Sequence, residues 1–168
     1  MAEGVALFRS KARFDHGRIH IERHISSLND VGYTVIEDVL DSEELVFLRA
    51  AIDDIYSGYD PERDGLGHME GYRFATNLVD KGEFFRDIFL RGPVYDLMKH
   101  FLGDDCILSS LNSLEPLQGH GDQDLHRDVS SPPSGGIESM NSLWIIDDTD
   151  TGNGATQVVP ASHRTDDD

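Results

Sequence analysis

Apolar residues recur at helical spacing through the first part of the chain. One set precedes Gly32 and predicts a helix that ends there. Its members are Ile21, Ile25 and Leu28. Asp41 followed three residues later by Glu44 is a variant of the N-terminal capping box, so a second helix is expected to begin there. One face of that helix carries Leu45, Leu48, Ile52 and Ile55.

The pattern changes between and after these helices. Residues 33–36 form a β-rich run that predicts a strand, and residues 57–70 are rich in Gly, Asp and Pro, which predicts a surface loop. A short helix is predicted around Phe84 to Phe89. Another is predicted from Pro93, a residue suited to a first helical turn, to just before Gly103.

After Gly103 the sequence favours short strands. Clusters of Gly, Pro, Ser and Asn separate four β-like segments, which are residues 106–117, 123–129, 140–147 and 155–159. Helices followed by strands predict an α+β chain in which helices support an antiparallel sheet. A length of 168 residues predicts one domain. We divide it into a loosely ordered lead-in (1–20), a helical support region (21–103) and a strand region (104–168).

Composition narrows the function classes. A net charge of −18 and a pI near 4.5 disfavour nucleic acid and anionic membrane surfaces as partners. The acid excess leaves open both adaptation to high salt and ordinary solubility. The single cysteine, Cys106, excludes a disulfide framework within the chain and is expected to be a small buried residue. Without an apolar membrane span or signal-peptide core in this sequence, a cytoplasmic location is expected.

The segment around His126 carries the candidate chemistry. Side chains alternate along a strand, so His126 and Asp128 are predicted to project from one face while Arg127 projects from the other. An imidazole nitrogen and a carboxylate oxygen suit iron(II), and with one more histidine they form a facial triad that leaves coordination positions open. The sequence therefore predicts His126 and Asp128 as metal ligands.

Two alternatives stay open at this point. His120 and Asp122 show the same spacing, but Gly119 and Gly121 flank that histidine and disfavour a strand, so we prefer the later pair. The second alternative is an exposed histidine and aspartate at a strand end that bind no metal.

Longer motifs resemble the phytanoyl-CoA dioxygenase family. His126-Arg-Asp128 is followed by a Pro/Gly loop, by Asn141-Ser-Leu-Trp144-Ile-Ile-Asp147-Asp148, by Asn153-Gly154-Ala155-Thr156 and by Val159-Pro160-Ala161-Ser162-His163-Arg164. Residues 32–40 and the helix after them are also similar to the family's N-terminal strand and helix. The resemblance implies a double-stranded β-helix, or jelly roll, that binds iron(II) and 2-oxoglutarate and uses O2 to hydroxylate an unactivated carbon of a small-molecule or acyl substrate.

The resemblance also assigns individual residues. It implies that His126 and Asp128 are metal ligands and that Trp144 lies near the co-substrate pocket, although a plain core role for Trp144 is equally open. His163 lies in a segment that the family uses as a turn, so we do not assign it as the third ligand. In that turn Ala161 replaces the family's usual glycine. Because Asp128 keeps the carboxylate that related halogenases lack, the resemblance favours hydroxylation over halogenation.

The end of the chain departs from the family pattern. Asp168 lies 40 residues after Asp128, and the family places its distal metal histidine and its 2-oxoglutarate-binding arginine further on. We therefore expect a C-terminally truncated fragment, an incomplete jelly roll, weak metal binding and little turnover. An unclosed sheet also favours self-association through its open edge. The alternative function is a non-catalytic truncated jelly-roll module that binds or assembles with another chain.

Overall fold

A computed structural model describes residues 21–58, 60, 71–128 and 136–164. The predicted lead-in (1–20) and most of the predicted loop (57–70) lie outside these ranges, as does the acidic end. The described chain combines α-helices with a two-stranded sheet, so the α+β prediction is confirmed.

The first two predicted helices are confirmed. Helix α1 spans Ile21–Val31 and ends at Gly32, whose φ of +86° lies in the left-handed region that favours glycine. Helix α2 spans Ser42–Ser57. The Asp41 side chain accepts a hydrogen bond from the Glu44 N–H at 2.8 Å, and the Glu44 side chain accepts one from the Asp41 N–H at 3.1 Å. Both halves of the capping box are therefore present.

The middle of the chain adds one strand and two further helices. Strand β1 spans Tyr72–Ala75, and a 3₁₀ turn at Leu78–Asp80 leads into helix α3 at Glu83–Ile88. Helix α4 spans Gly92–Leu102, with Pro93 in its first turn and Gly103 after its end. The two helices predicted here are confirmed, whereas β1 was not predicted.

The sheet is smaller than the sequence pattern indicated. Strand β2, Ser113–Pro116, pairs antiparallel with β1 in a register that sets Tyr72 opposite Pro116 and Ala75 opposite Ser113. Residues 33–36, 123–128, 140–147 and 155–159 form no strand in the described part of the chain, so those strand predictions are wrong. The family's jelly roll is likewise not seen among the described residues.

Strand-like alternation of side chains can occur without a strand. Along residues 143–146 the side chains still alternate, because Leu143 and Ile145 are exposed while Trp144 and Ile146 are half-buried. A strand also requires a neighbour that supplies ladder hydrogen bonds, and sequence alternation does not report whether that neighbour is present. Residues 33–36 and 143–146 thus show the side-chain pattern of strands without the pairing, whereas residues 123–128 are exposed throughout.

The core lies between α2, β1 and α3. Its buried members are Leu48, Tyr56, Ala75, Leu78, Phe84, Phe85 and Ile88. The predicted apolar face of α2 contributes to it, and Trp144 and Ile146 pack against it from the later part of the chain. The Tyr56 hydroxyl donates to the Arg73 carbonyl at 3.0 Å, which fixes the end of α2 to β1.

The end of the described chain docks on α1. The Ala161 N–H donates to the Val31 carbonyl at 2.8 Å, and Arg164 donates to the Asn29 carbonyl. None of the helices in the described ranges combines the length and hydropathy that a membrane span needs.

Candidate metal site

The candidate site lies on the exposed segment that follows the sheet. Its first residue, Gly121, has a φ of +86° and packs so closely that an added Cβ would lie 2.7 Å from the Pro116 Cβ. The Tyr72 hydroxyl donates to the Gly121 carbonyl. Glycine is therefore required here, and the contact fixes the start of the segment against β1 and β2.

His126 and Asp128 face each other as the spacing predicted, although no strand holds them. The Nε2 atom of His126 lies 3.2 Å from Oδ1 of Asp128, and the two side chains are 54% and 60% exposed. On the other side of the ring, Nδ1 lies 2.7 Å from the Asp124 carbonyl oxygen. A carbonyl only accepts hydrogen bonds, so Nδ1 carries a proton and Nε2 is the atom left to bind a proton or a metal ion.

The remaining carboxylate oxygen also has a partner. The side-chain amide of Asn141 donates to Oδ2 of Asp128, which leaves Oδ1 directed toward His126. Asn141 belongs to the motif of residues 141–148, but its sequence position predicts no role for it. No local pattern reveals a contact between residues 13 positions apart across a loop.

The surroundings favour a positive charge on the imidazole. The hydrogen bond to the Asp124 carbonyl raises the pKa of His126 above its ordinary value, and the nearby Asp128 carboxylate raises it further. The same negative surroundings also favour a bound cation, so a proton and a metal ion compete for Nε2.

The donor atoms fit iron(II) in type and spacing. Imidazole nitrogen and carboxylate oxygen are the ligand types of the 2-His-1-carboxylate triad. Protein ligands bind divalent transition metals at about 2.1 Å, so neighbouring ligands at right angles lie about 3 Å apart. The observed 3.2 Å is close to this separation. It also suits a plain ion pair between a protonated imidazole and the carboxylate, so the metal assignment stays a prediction.

No third ligand joins the pair in the described ranges, where no cluster of three His, Cys, Asp or Glu side chains is found. His163 contacts α1, with Nε2 lying 3.2 Å from the Asn29 carbonyl oxygen. His120 packs beside Gly71, since a Cβ added to Gly71 would lie 2.7 Å from the Cβ of His120. It follows a turn at residues 118–119, and neither His-x-Asp pair lies in a strand, so the preference for the later pair stays a prediction.

Trp144 lies beside the core, and its indole N–H donates to the Ser142 hydroxyl at 3.2 Å. This position suits the core interpretation, and contact with a co-substrate stays a prediction.

Arg49 of α2 holds the same stretch, because its Nε donates to the Ile146 carbonyl at 2.9 Å and lies 2.8 Å from an Asp147 carboxylate oxygen. The stretch that carries Asn141 is thereby fixed to α2.

Two turns and the single cysteine had also been singled out in the sequence. Residues 151–154 form a turn in which the Asn153 side-chain oxygen accepts from the Asp150 N–H at 2.6 Å. Ala161 has a φ of +63°, the left-handed conformation in which glycine is more comfortable. Cys106 is a free cysteine and is half-buried, so the prediction of a buried residue holds only in part.

Fold and site together define a mixed helix-and-sheet protein with an exposed imidazole and carboxylate converging from a His-x-Asp segment. The profile of the phytanoyl-CoA dioxygenase family matches residues 28–168. The chain belongs to the phytanoyl-CoA dioxygenase family, as the motifs indicated. Members are generally dioxygenases that use iron(II) and 2-oxoglutarate.

Two curated relatives from mycobacteria are similar to this chain. An uncharacterized protein of Mycobacterium bovis and one of Mycobacterium tuberculosis are each 31% identical to it over 150 residues. The alignments cover 82% of this chain and 54% of each relative. The chain thus spans about half the length of the curated relatives it matches. No solved structure matches it significantly.

Proposed function

We propose that this chain carries part of the active site of an iron(II)- and 2-oxoglutarate-dependent dioxygenase that hydroxylates an unactivated carbon of a small-molecule or acyl substrate. The observation that carries the proposal is the 3.2 Å approach of His126 Nε2 and Asp128 Oδ1 within a chain of this family. Bound iron(II) would supply the activation of O2, with 2-oxoglutarate as the co-substrate.

Each side chain has a defined part in this proposal. His126 presents Nε2 because Nδ1 is engaged by the Asp124 carbonyl, and Asp128 presents Oδ1 because Oδ2 accepts from Asn141. Two protein ligands hold a metal ion weakly, so a further histidine must complete the triad, and we assign none to that role in this sequence. We expect weak metal binding and little turnover from the chain itself.

The fold proposal follows the family. We propose that residues 21–103 support a jelly roll to which residues 104–168 contribute, with Trp144 near the co-substrate pocket. Several apolar side chains of the later region are well exposed: Ile107 at 87%, Leu143 at 67% and Leu125 at 65%. Further strands packed on this region would bury them. The single cysteine and the negative charge support a cytoplasmic location, without nucleic-acid or membrane partners.

A metal titration tests the proposal. Cobalt(II) is a useful stand-in for iron(II), since its absorption spectrum reports coordinated ligands and it resists oxidation. We expect the wild-type chain to bind it, and H126A and D128A each to weaken binding at least tenfold. H120A is the matched control, because it removes an exposed histidine of the other His-x-Asp pair. Loss of binding in H120A but not in H126A would contradict the assignment.

Succinate release with iron(II), ascorbate and 2-oxoglutarate tests the catalytic part. We expect little release from this chain, and robust turnover would show that the assigned ligand set is incomplete.

The exposed apolar side chains also favour a second candidate, a non-catalytic module that associates with itself or with another chain. Its signature is a stable oligomer that forms without metal. Sedimentation equilibrium with and without a chelator separates the two candidates.

A further inference from the structure

We propose that Asn141 is a positioning residue for the metal site, whose amide orients the Asp128 carboxylate so that Oδ1 meets a metal ion together with His126 Nε2. This inference rests on the proposed function and deepens it. The amide donates to Oδ2, the oxygen that does not face the imidazole.

Among the residues that the structure describes, the Asp128 carboxylate contacts the His126 imidazole through Oδ1 and the Asn141 amide through Oδ2. Asp128 is 60% exposed at its side chain, and its segment has neither a strand partner nor burial to fix the side-chain torsions. An exposed carboxylate of this kind rotates among several orientations, and each lost orientation costs conformational entropy when a metal binds. A hydrogen bond already present in the free protein removes part of that cost.

Asn141 suits this role because the chain around it is anchored. Three residues later Trp144 packs against the core, and Arg49 binds the carbonyl of Ile146 at 2.9 Å. The amide therefore connects an exposed carboxylate to a stretch held by helix α2. An amide is also uncharged, so it orients Asp128 without repelling a bound cation. An ammonium or guanidinium group at the same place would repel it.

The expected magnitude follows from other metal sites. Removing a group that hydrogen-bonds to a metal ligand typically weakens metal affinity by about 10- to 100-fold. Because this site is exposed, we expect the lower end, so N141A should raise the Kd for cobalt(II) about tenfold. N141Q keeps an amide donor at an exposed position, and it should recover most of the affinity.

The experiment measures cobalt(II) affinity and unfolding for wild type, N141A, N141Q and N29A. Asn29 is an exposed residue of α1 that contacts His163 and Arg164 through its backbone carbonyl, so N29A controls for loss of a surface amide. We expect N141A alone to weaken binding, with an unfolding midpoint close to that of wild type. An equal Kd for N141A and wild type would overturn the positioning role while leaving the metal site intact.

A second readout works without metal. In the free protein, D128A should shift the side-chain amide resonances of Asn141, since it removes their acceptor. Unchanged resonances would overturn the inference. Failure of the wild-type chain to bind cobalt(II) would overturn the proposed function together with this role, which distinguishes that result from a failure of Asn141 alone.

Discussion

Replacing Arg91 by methionine should destabilise the protein far more than breaking an exposed ion pair does. Arg91 forms an ion pair with Glu44, and the two side chains are only 11% and 4% exposed. Glu44 is also the capping-box residue of α2, where its other oxygen accepts from the Asp41 N–H at 3.1 Å. In R91M the Glu44 carboxylate stays buried and keeps the hydrogen bond from the Asp41 N–H.

The magnitude follows from these contacts. Removing one partner of a buried ion pair costs about 3–5 kcal/mol, because the other charge stays buried without compensation. The capping hydrogen bond remains in R91M, and the helix N-terminus stabilises a nearby anion by about 0.3–1 kcal/mol. We therefore expect a loss of about 3 kcal/mol in the free energy of unfolding. E44Q keeps an acceptor for the Asp41 N–H but takes the carboxylate away from the buried Arg91 guanidinium, so it should also cost about 3 kcal/mol.

Urea unfolding followed by circular dichroism measures these losses by linear extrapolation. In the double variant R91M/E44Q no charge is buried, so its loss should be clearly smaller than the sum of the two single losses. D96N is the matched control, because it breaks the Lys99–Asp96 pair on α4, whose side chains are 34% and 53% exposed. That pair should contribute about 0.5 kcal/mol or less. A cost for R91M as small as that of D96N would refute the buried-pair reasoning.

Three further predictions concern pH and backbone conformation. Burial lowers the pKa of His24, so the unfolded chain takes up this proton at a higher pH than the folded chain does. The stability that neutral His24 contributes is present above its unfolded pKa of about 6.5 and is lost as pH falls toward the folded pKa. The urea midpoints measured at about pH 7.5 and about pH 5 should therefore differ less in H24Q than in wild type. An equal difference would contradict the burial of a neutral His24. A161G should raise the free energy of unfolding by about 0.5–1 kcal/mol, since Ala161 has a φ of +63°; a loss measured in the same urea assay would show that the turn does not adopt this conformation. In the metal-free protein the Asp124 carbonyl and the Asp128 carboxylate raise the pKa of His126, so an NMR titration should place this pKa above about 6.5 and D128N should lower it. Because a proton competes with the metal for the imidazole, metal binding should weaken at acidic pH. A metal affinity independent of pH would argue against coordination by this imidazole.

The parts of the fold that the sequence predicted well are those with local signals. The capping box at Asp41 and Glu44, Pro93 at a first turn and Gly103 after a helix end all act within a few residues, and each lies at a helix boundary in the structure. Strand β1 forms by pairing with β2, and two helices separate the two strands along the chain. Residues 72–75 by themselves also form too short a pattern to be recognised as a strand. The same dependence on distant partners explains the strands that were predicted and not found.

The site shows the same division between local and distant information. The spacing of His126 and Asp128 was enough to predict that their side chains meet, although a strand was the wrong reason. A hydrogen bond from His126 Nδ1–H to the Asp124 carbonyl and one from the Asn141 amide to Asp128 hold the pair instead. The first is local and the second crosses a loop, and neither has a sequence signal of its own.

The most direct test of the central claim is an NMR titration of the chain with its histidines isotopically labelled and cobalt(II) added in small steps. Paramagnetic cobalt(II) broadens or shifts the ring signals of a coordinated imidazole before those of distant ones. We predict that the His126 signals respond first and that D128A moves the response to clearly higher cobalt(II) concentrations. Signals of His126 that stay unchanged while another histidine responds would contradict the assignment of His126 and Asp128 as the metal ligands.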